Sequence, residues 1–175
     1  MKISLMGYMG SGKTTIGKLL SDYMNLKFID LDQYIEVAEH KAISKIFAES
    51  GEIYFRKIEK DYLHQVLAQN DFVLSTGGGT PAYYDNLQSI NENSLSFYLQ
   101  ANPNNLAKRL SLSESRRPVI AHLTKEELPE FIAKHLFERN AYYQQATYTV
   151  NTNKKTEQEI VNEIREKIKY HQSLT

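Results

Sequence analysis

Gly7-Tyr8-Met9-Gly10-Ser11-Gly12-Lys13-Thr14 sets four residues between two glycines and follows them with a lysine and a hydroxyl residue. That is the spacing of a phosphate-binding loop. A phosphate chain carries several negative charges, and backbone N–H groups wrap it only where no Cβ intervenes. Gly7, Gly10 and Gly12 allow that approach and the dihedrals it needs. Lys13 reaches the β- and γ-phosphates as a point charge, Thr14 offers a hydroxyl to Mg²⁺, and a helix starting here turns its positive end toward the same phosphates. The flanks agree with this reading. Lys2-Ile3-Ser4-Leu5-Met6 reads as a short strand, and Ile16, Leu19, Leu20 and Tyr23 fall on one apolar helical face.

Composition narrows the possibilities. The chain has 175 residues, enough for one domain with one substantial core. Basic and acidic residues balance at 21 each, which argues against a general nucleic-acid or anionic-membrane surface. There is no cysteine, hence no disulfide framework, thiolate metal site or thiol nucleophile. No apolar run approaches a membrane span, and a phosphate loop beginning at residue 7 leaves no room for a signal peptide, so the cytoplasm is the expected location. His40, His64, His122, His135 and His171 are scattered without a helical pair at ligand spacing, and read as surface or helix residues.

Downstream, Lys27-Phe28-Ile29-Asp30 reads as a second strand running into Leu31-Asp32. Ligands of α/β sheets sit at the carboxyl ends of strands. Asp30 there suits Mg²⁺, directly or through water. Asp32 suits a substrate hydroxyl, or it caps the helix that follows. Residues 33–50 read as two short helices with a break near Lys41, the second ended by Gly51. A longer helix over residues 52–69 carries the apolar stripe Phe55, Ile58, Tyr62 and Val66, with Arg56 off it and free to face a cleft or water. Phe72 to Thr76 reads as a buried strand ending in Gly77-Gly78-Gly79, a triplet suited to close backbone approach to a ligand or to a tight turn before Pro81.

Leu95 to Leu99 reads as another strand, and Asn102-Pro103 opens a helix with an N-cap and a first-turn proline. The polar stretch 111–122, with Arg116 and Arg117 together, reads as a surface loop of the kind that closes as a lid and delivers an arginine. Thr124 to Glu127 and Thr156 to Glu159 have capping-box spacing ahead of the last two helices, with Pro129 bending or restarting the first. Tyr148 and Val150 alternate in a last strand. Five strands alternating with helices predict a parallel α/β sheet.

Taken together, Gly-Tyr-Met-Gly-Ser-Gly-Lys-Thr at 7–14, Asp-Leu-Asp at 30–32, Phe-Arg-Lys-Ile-Glu at 55–59, Gly-Gly-Gly at 77–79, Arg-Arg-Pro at 116–118 and Arg139 before Asn-Ala-Tyr resemble shikimate kinase over nearly the whole chain. Where the family commonly has a second arginine after the one matching Arg56, this chain has Lys57. The resemblance implies a P-loop fold like that of nucleoside-monophosphate kinases, a five-stranded parallel sheet flanked by helices. It implies one kinase domain over residues 1–175, with a substrate-binding segment at about 31–61 and a lid at about 111–123. The implied activity is transfer of the ATP γ-phosphate to the 3-hydroxyl of shikimate, with Mg²⁺, in a monomer.

Carried over by position, the implied catalytic residues are Lys13, Asp32 and Arg117. ATP is expected against Gly10, Ser11, Gly12, Lys13, Thr14 and Thr15, with Arg109, Arg117 and Asn153 beyond, and Mg²⁺ at Thr14 and Asp30. Shikimate is expected against Asp32, Arg56, Gly77, Gly78, Gly79 and Arg139, with the two arginines on its carboxylate. Another small-metabolite kinase of the same fold, for gluconate or a nucleoside monophosphate, shares the phosphate loop but not this ordered set. A guanine-nucleotide switch would want Asn-Lys-x-Asp, and Asn153-Lys154-Lys155-Thr156 lacks the aspartate.

Overall fold

The structure, a computed structural model, describes residues 1–112, 120, 123–124 and 126–174. Strands β1 (Lys2–Met6), β2 (Lys27–Asp30), β3 (Phe72–Ser75), β4 (Leu95–Gln100) and β5 (Tyr148–Asn151) form one parallel sheet in the order β2-β3-β1-β4-β5. The helices are α1 (Lys13–Met24), α2 (Leu31–Glu39), α3 (Ile43–Leu67), α4 (Asn86–Asn93), α5 (Pro103–Ser111), α6 (Leu128–Tyr143) and α7 (Glu157–Leu174), with a 3-10 turn at Thr80–Ala82. The expected five-stranded parallel sheet with flanking helices is present.

Side chains alternate across the sheet with the strand period of two. Ile3, Leu5, Val73, Phe97, Leu99 and Val150 pack beneath α1 and α7 with Ile16, Leu20, Ile160, Ile164 and Ile168. Met6, Phe72, Leu74 and Tyr98 face the other way, with Leu31, Phe55, Leu63, Ile90, Leu106 and Ile132 from α2 to α6. Both faces are covered, which is why the central strands read as nearly continuous apolar runs.

Strand order also fixes where a ligand belongs. The chain leaves β1 toward the β2 edge and leaves the adjacent β3 toward the β4 side. Connections that depart in opposite directions open a crevice above the carboxyl ends of those two strands. The phosphate loop follows β1 and the glycine triplet follows β3, so the two loops face each other across this crevice.

Several local expectations need correction. On α1, Leu19 and Tyr23 are exposed, and Gly17 and Ser21 share the inward face with Ile16 and Leu20. A Cβ on Gly17 would stand 2.5 Å from the Phe28 ring, so small residues let α1 lie close on the sheet. The carboxylate that caps α2 is Asp30, which accepts from the Gln33 backbone N–H; Asp32 lies in the first turn. Along α3 the buried residues are Ile46, Phe55, Arg56, Glu59, Leu63, Val66 and Leu67, so the packed side runs through Arg56, Glu59 and Leu63 rather than Ile58 and Tyr62, and Arg56 faces the crevice beside Gly79. Gly51 breaks α3 with φ 78° and ψ 173°. Both expected capping boxes form, at Thr124–Glu127 and Thr156–Glu159.

Candidate active site

The phosphate loop adopts the backbone its glycines permit. Gly7, Gly10 and Gly12 have φ of 147°, 78° and 98°, a region that residues with a Cβ rarely enter. Gly12 is the N-cap of α1. The Lys13 ammonium folds over the loop and donates to the carbonyls of Gly7 (2.8 Å) and Tyr8 (3.0 Å). Ser11 is buried, and its Oγ has no hydrogen-bond partner among the described residues. Thr14 donates to Asp30 Oδ2 at 2.9 Å, which joins the first turn of α1 to the carboxyl end of β2. Thr15, the next residue, is exposed.

Across the crevice the glycine triplet is the point where the other site residues meet. None of its members has a left-handed φ. What they provide is room. A Cβ on Gly77 would lie 2.9 Å from Asp32 Oδ1 and 3.1 Å from Glu59 Oε1. One on Gly78 would lie 3.4 Å from the Met9 N–H nitrogen and 3.9 Å from Arg139 Nη1. One on Gly79 would lie 2.7 Å from Arg56 Nη2. Asp32, Arg56, Arg139 and the phosphate loop therefore converge on three consecutive residues.

Arg56 is held from several sides. Its Nη1 donates to Glu59 Oε2 at 2.8 Å, and its Nε and Nη2 donate to Glu52 Oε1 at 3.2 and 3.1 Å. The guanidinium carbon sits 4.1 Å from the centre of the Tyr83 ring, within cation–π range. Burial disfavours the Arg56 charge, but Glu59 and Glu52 more than offset it, so the group is protonated more firmly than an ordinary arginine. Glu59 is 1% exposed and spends its second oxygen on the Thr80 hydroxyl at 2.6 Å. Glu52 is held below the usual carboxylate range, chiefly by the Tyr83 phenol and then by Arg56.

Arg139 stands on α6 between two aromatic contacts. One turn before it, His135 Nδ1 and the Tyr8 hydroxyl share a hydrogen bond at 3.0 Å. One turn after it, Tyr143 donates to the Gly78 carbonyl. Burial raises the Tyr8 phenol to about 12 and raises that of Tyr143 further, each partly countered by the Arg139 charge. The same two influences, burial first and Arg139 second, lower His135.

The remaining expected residues lie farther out. Arg109 is exposed and its Nη1 donates to the carbonyls of Gly10 (3.3 Å) and Ser11 (3.4 Å), so it sits on the phosphate loop. Asn153 Oδ1 accepts from the Asn102 backbone and from Asn105 Nδ2, tying the end of β5 to the start of α5. Arg117, its neighbour Arg116 and most of the expected lid lie outside the described residues.

Glu52, Glu59, Tyr83, Tyr8, His135 and Tyr143 also border this site, beyond the residues expected from the motifs. Some signals were available. Glu59 stands three residues after Arg56, and His135 and Tyr143 stand four before and four after Arg139, spacings that share a helical face. Among the described residues, no group of three or more His, Cys, Asp or Glu could hold a metal ion by itself. Thr14 and Asp30 are nonetheless fitting oxygen donors for Mg²⁺, which usually takes one or two protein ligands and completes its shell with substrate phosphates and water. No helix among the described residues is long and apolar enough to cross a membrane.

Comparison with known proteins matches residues 9–169 to the shikimate kinase family. The chain is 45% identical over 163 residues to a shikimate kinase of Parabacteroides distasonis, covering 93% of this chain and 94% of that one. It superposes on a shikimate kinase of Bacteroides thetaiotaomicron with a TM-score of 0.91 at 37% identity, covering 95% and 97% of the two chains. A shikimate kinase of Acinetobacter baumannii in complex with shikimate gives a TM-score of 0.88 at 28% identity, covering 97% and 93%.

Proposed function

The chain belongs to the shikimate kinase family, and from that premise we propose which of its residues carry the reaction. The reaction is ATP-dependent phosphorylation of shikimate, with the γ-phosphate passing to the 3-hydroxyl to give shikimate 3-phosphate and ADP. The observation that carries the assignment of residues is the convergence of Asp32, Arg56, Arg139 and the phosphate loop on Gly77, Gly78 and Gly79.

Phosphoryl transfer asks a protein mainly for positioning and charge neutralisation. In this reading Arg56 and Arg139 hold the shikimate carboxylate. Their placement on α3 and α6, on either side of the glycine triplet, suits a two-sided grip. Three of the five N–H groups of Arg56 are engaged by Glu52 and Glu59, which fixes the guanidinium and leaves two for an incoming carboxylate. The backbone of Gly78 and Gly79 completes that pocket. Asp32 orients the attacking hydroxyl and accepts its proton. Lys13 leaves the loop carbonyls for the β- and γ-phosphates, backed by the N–H groups of Gly10 to Thr15.

Arg117, from a lid at about 111–123, meets the transferring phosphoryl group. Arg109 and Asn153 border the adenine. Mg²⁺ held by Thr14 and Asp30 neutralises phosphate charge when bound. The enzyme is taken as one kinase domain with a substrate segment at about 31–61, acting as a monomer in the cytoplasm.

The test is ADP release from Mg²⁺-ATP with shikimate, gluconate or a nucleoside monophosphate as acceptor. Strong stimulation by shikimate alone is expected. A response confined to another acceptor would discard the placement of the two arginines on the shikimate carboxylate.

A further inference from the structure

Beyond the substrate arginines, α6 presents His135, Arg139 and Tyr143 at intervals of four residues, one above the other on a single face. The outer two each make a polar contact to one of the two loops that face each other across the crevice. His135 Nδ1 is hydrogen-bonded to the hydroxyl of Tyr8, a residue of the phosphate loop itself. Tyr143 donates to the carbonyl of Gly78 in the glycine triplet. The Tyr8 and His135 rings meet edge to face with centroids 5.6 Å apart, and Phe131 packs on His135 from one turn earlier at 5.3 Å. Tyr8 and Tyr143 are each 1% exposed, so both rings are packed into the structure rather than lying on its surface.

We infer that Tyr8 and His135 are positioning residues for Arg139. Their hydrogen bond pins α6 to the phosphate loop on one side of the arginine while Tyr143 pins it to Gly78 on the other. This deepens the reading in which Arg139 holds the substrate carboxylate, and it rests on that reading. A helix anchored only at Tyr143 could pivot and carry the guanidinium away from Gly78. Anchored at both ends of the two-turn segment, it holds Arg139 at a fixed height above the triplet. A displacement of about 1 Å at a positioning group is enough to lower binding and turnover. The same Tyr8 lends its backbone carbonyl to Lys13 at 3.0 Å. The link therefore joins the lysine assigned to phosphate with the arginine assigned to carboxylate.

Packing alone would also place these rings together, so the test must separate packing from the hydrogen bond. His135→Asn keeps an amide that can accept or donate near the position of Nδ1, His135→Leu keeps apolar bulk without a hydrogen-bonding group, and Tyr8→Phe removes only the phenol oxygen. One hydrogen bond of this kind corresponds to a change of about threefold to tenfold in an apparent affinity. The expected result is a rise of that size in the KM for shikimate in His135→Leu and Tyr8→Phe, an unchanged KM for ATP, near-parent values in His135→Asn, and a double variant no worse than either single one.

Arg139→Ala is measured beside them. A raised shikimate KM in Arg139→Ala with parent values in folded His135→Leu and Tyr8→Phe would overturn the positioning role alone. Parent values in all of them would overturn the Arg139 assignment and this inference with it. Equal rises in both substrates' KM, or His135→Asn behaving like His135→Leu, would reduce the contact to packing. Should His135→Leu fail to fold, Tyr8→Phe carries the same decision with a smaller change.

Discussion

The two glycine-rich loops of the crevice use the same residue for different reasons. In the phosphate loop, Gly7, Gly10 and Gly12 are needed for their backbone, at φ of 147°, 78° and 98°. In the triplet, Gly79 has an ordinary φ of −93° and Gly77 and Gly78 also stay out of the left-handed region, yet a Cβ on Gly77 or Gly79 would collide with a charged side chain. One loop shapes the main chain around a phosphate. The other clears space so that Asp32, Arg56 and Arg139 approach the main chain closely. A run of glycines in a sequence therefore does not say which of the two it supplies, and the two make different kinetic predictions.

The largest effect belongs to the phosphate side. Lys13→Ala should lower kcat on the order of 100-fold or more, the scale of losing one preorganised charge at a developing oxyanion, while the KM for shikimate stays near the parent value. Steady-state kinetics with both substrates varied checks this. A retained parent kcat would remove Lys13 from the phosphates and undo the phosphate-loop half of the comparison.

On the space-clearing side, Arg56→Ala should raise the KM for shikimate roughly 10- to 100-fold, the worth of a charge-assisted hydrogen bond. Gly79→Ala should imitate it at roughly tenfold, because the new methyl lands 2.7 Å from Arg56 Nη2 and Glu52 and Glu59 restrict where the guanidinium can retreat. Both variants should leave the KM for ATP alone. Titration of shikimate against tryptophan-free protein fluorescence or by calorimetry would show the same ranking, and an Arg56→Ala variant that binds as the parent does would take Arg56 out of the site.

Gly51 sharpens the contrast from the opposite direction. Its φ is 78° and its ψ 173°, but a Cβ there would meet nothing within 4 Å. Gly51→Ala should therefore cost about 1–3 kcal/mol of stability from backbone strain, seen as a lower Tm, with kinetic constants unchanged. A kinetic change without a stability change would mean that the bend at Gly51 positions Glu52 and Arg56 directly, and the division between conformational and spatial glycines would not hold for α3.

These contrasts also mark what the sequence could and could not convey. The strand, loop and helix around residues 7–14, the five strands and the two capping boxes were legible because each depends on local chemistry. Arg56 faces the crevice, one of the two environments its place off the apolar stripe allows, but its burial is not legible because apolar periodicity counts Phe55, Ile58, Tyr62 and Val66 and has no way to register a buried Arg56–Glu59 pair. Leu19 and Tyr23 are exposed for a related reason. Close packing of Gly17 on Phe28 turns α1 so that small residues face the sheet, and Tyr23 instead packs against the Arg165 guanidinium at 3.4 Å. Helix α4 went unread because Asn86 to Asn93 carries only Leu87 and Ile90 as apolar markers. Asp30 and Asp32 exchanged the capping role because a helix boundary shifted by two residues, within the ordinary uncertainty of such boundaries.

The smallest effect concerns pH and the link that α6 makes between the two loops. His135 faces Arg139 and Glu138 on its own helix, Glu52 on α3 and the Tyr8 phenol. Burial, and then the Arg139 charge, hold its folded-state pKa below the ordinary 6.5. The unfolded chain therefore binds more protons in the window just under 6.5. The stability tied to neutral His135 is present above that value and is lost as pH falls through the window. Protonation makes both ring nitrogens donors, which restricts the hydrogen bond that Nδ1 shares with the Tyr8 hydroxyl to one direction. The KM for shikimate should rise modestly over the same acid limb, and His135→Asn, which cannot titrate, should flatten both slopes. Thermal melts and shikimate KM values taken from pH 5 to 8 (about the range in which histidine titrates) check this. An acid limb that persists unchanged in His135→Asn would assign it to another group and leave the two loops without a pH-sensitive link through α6.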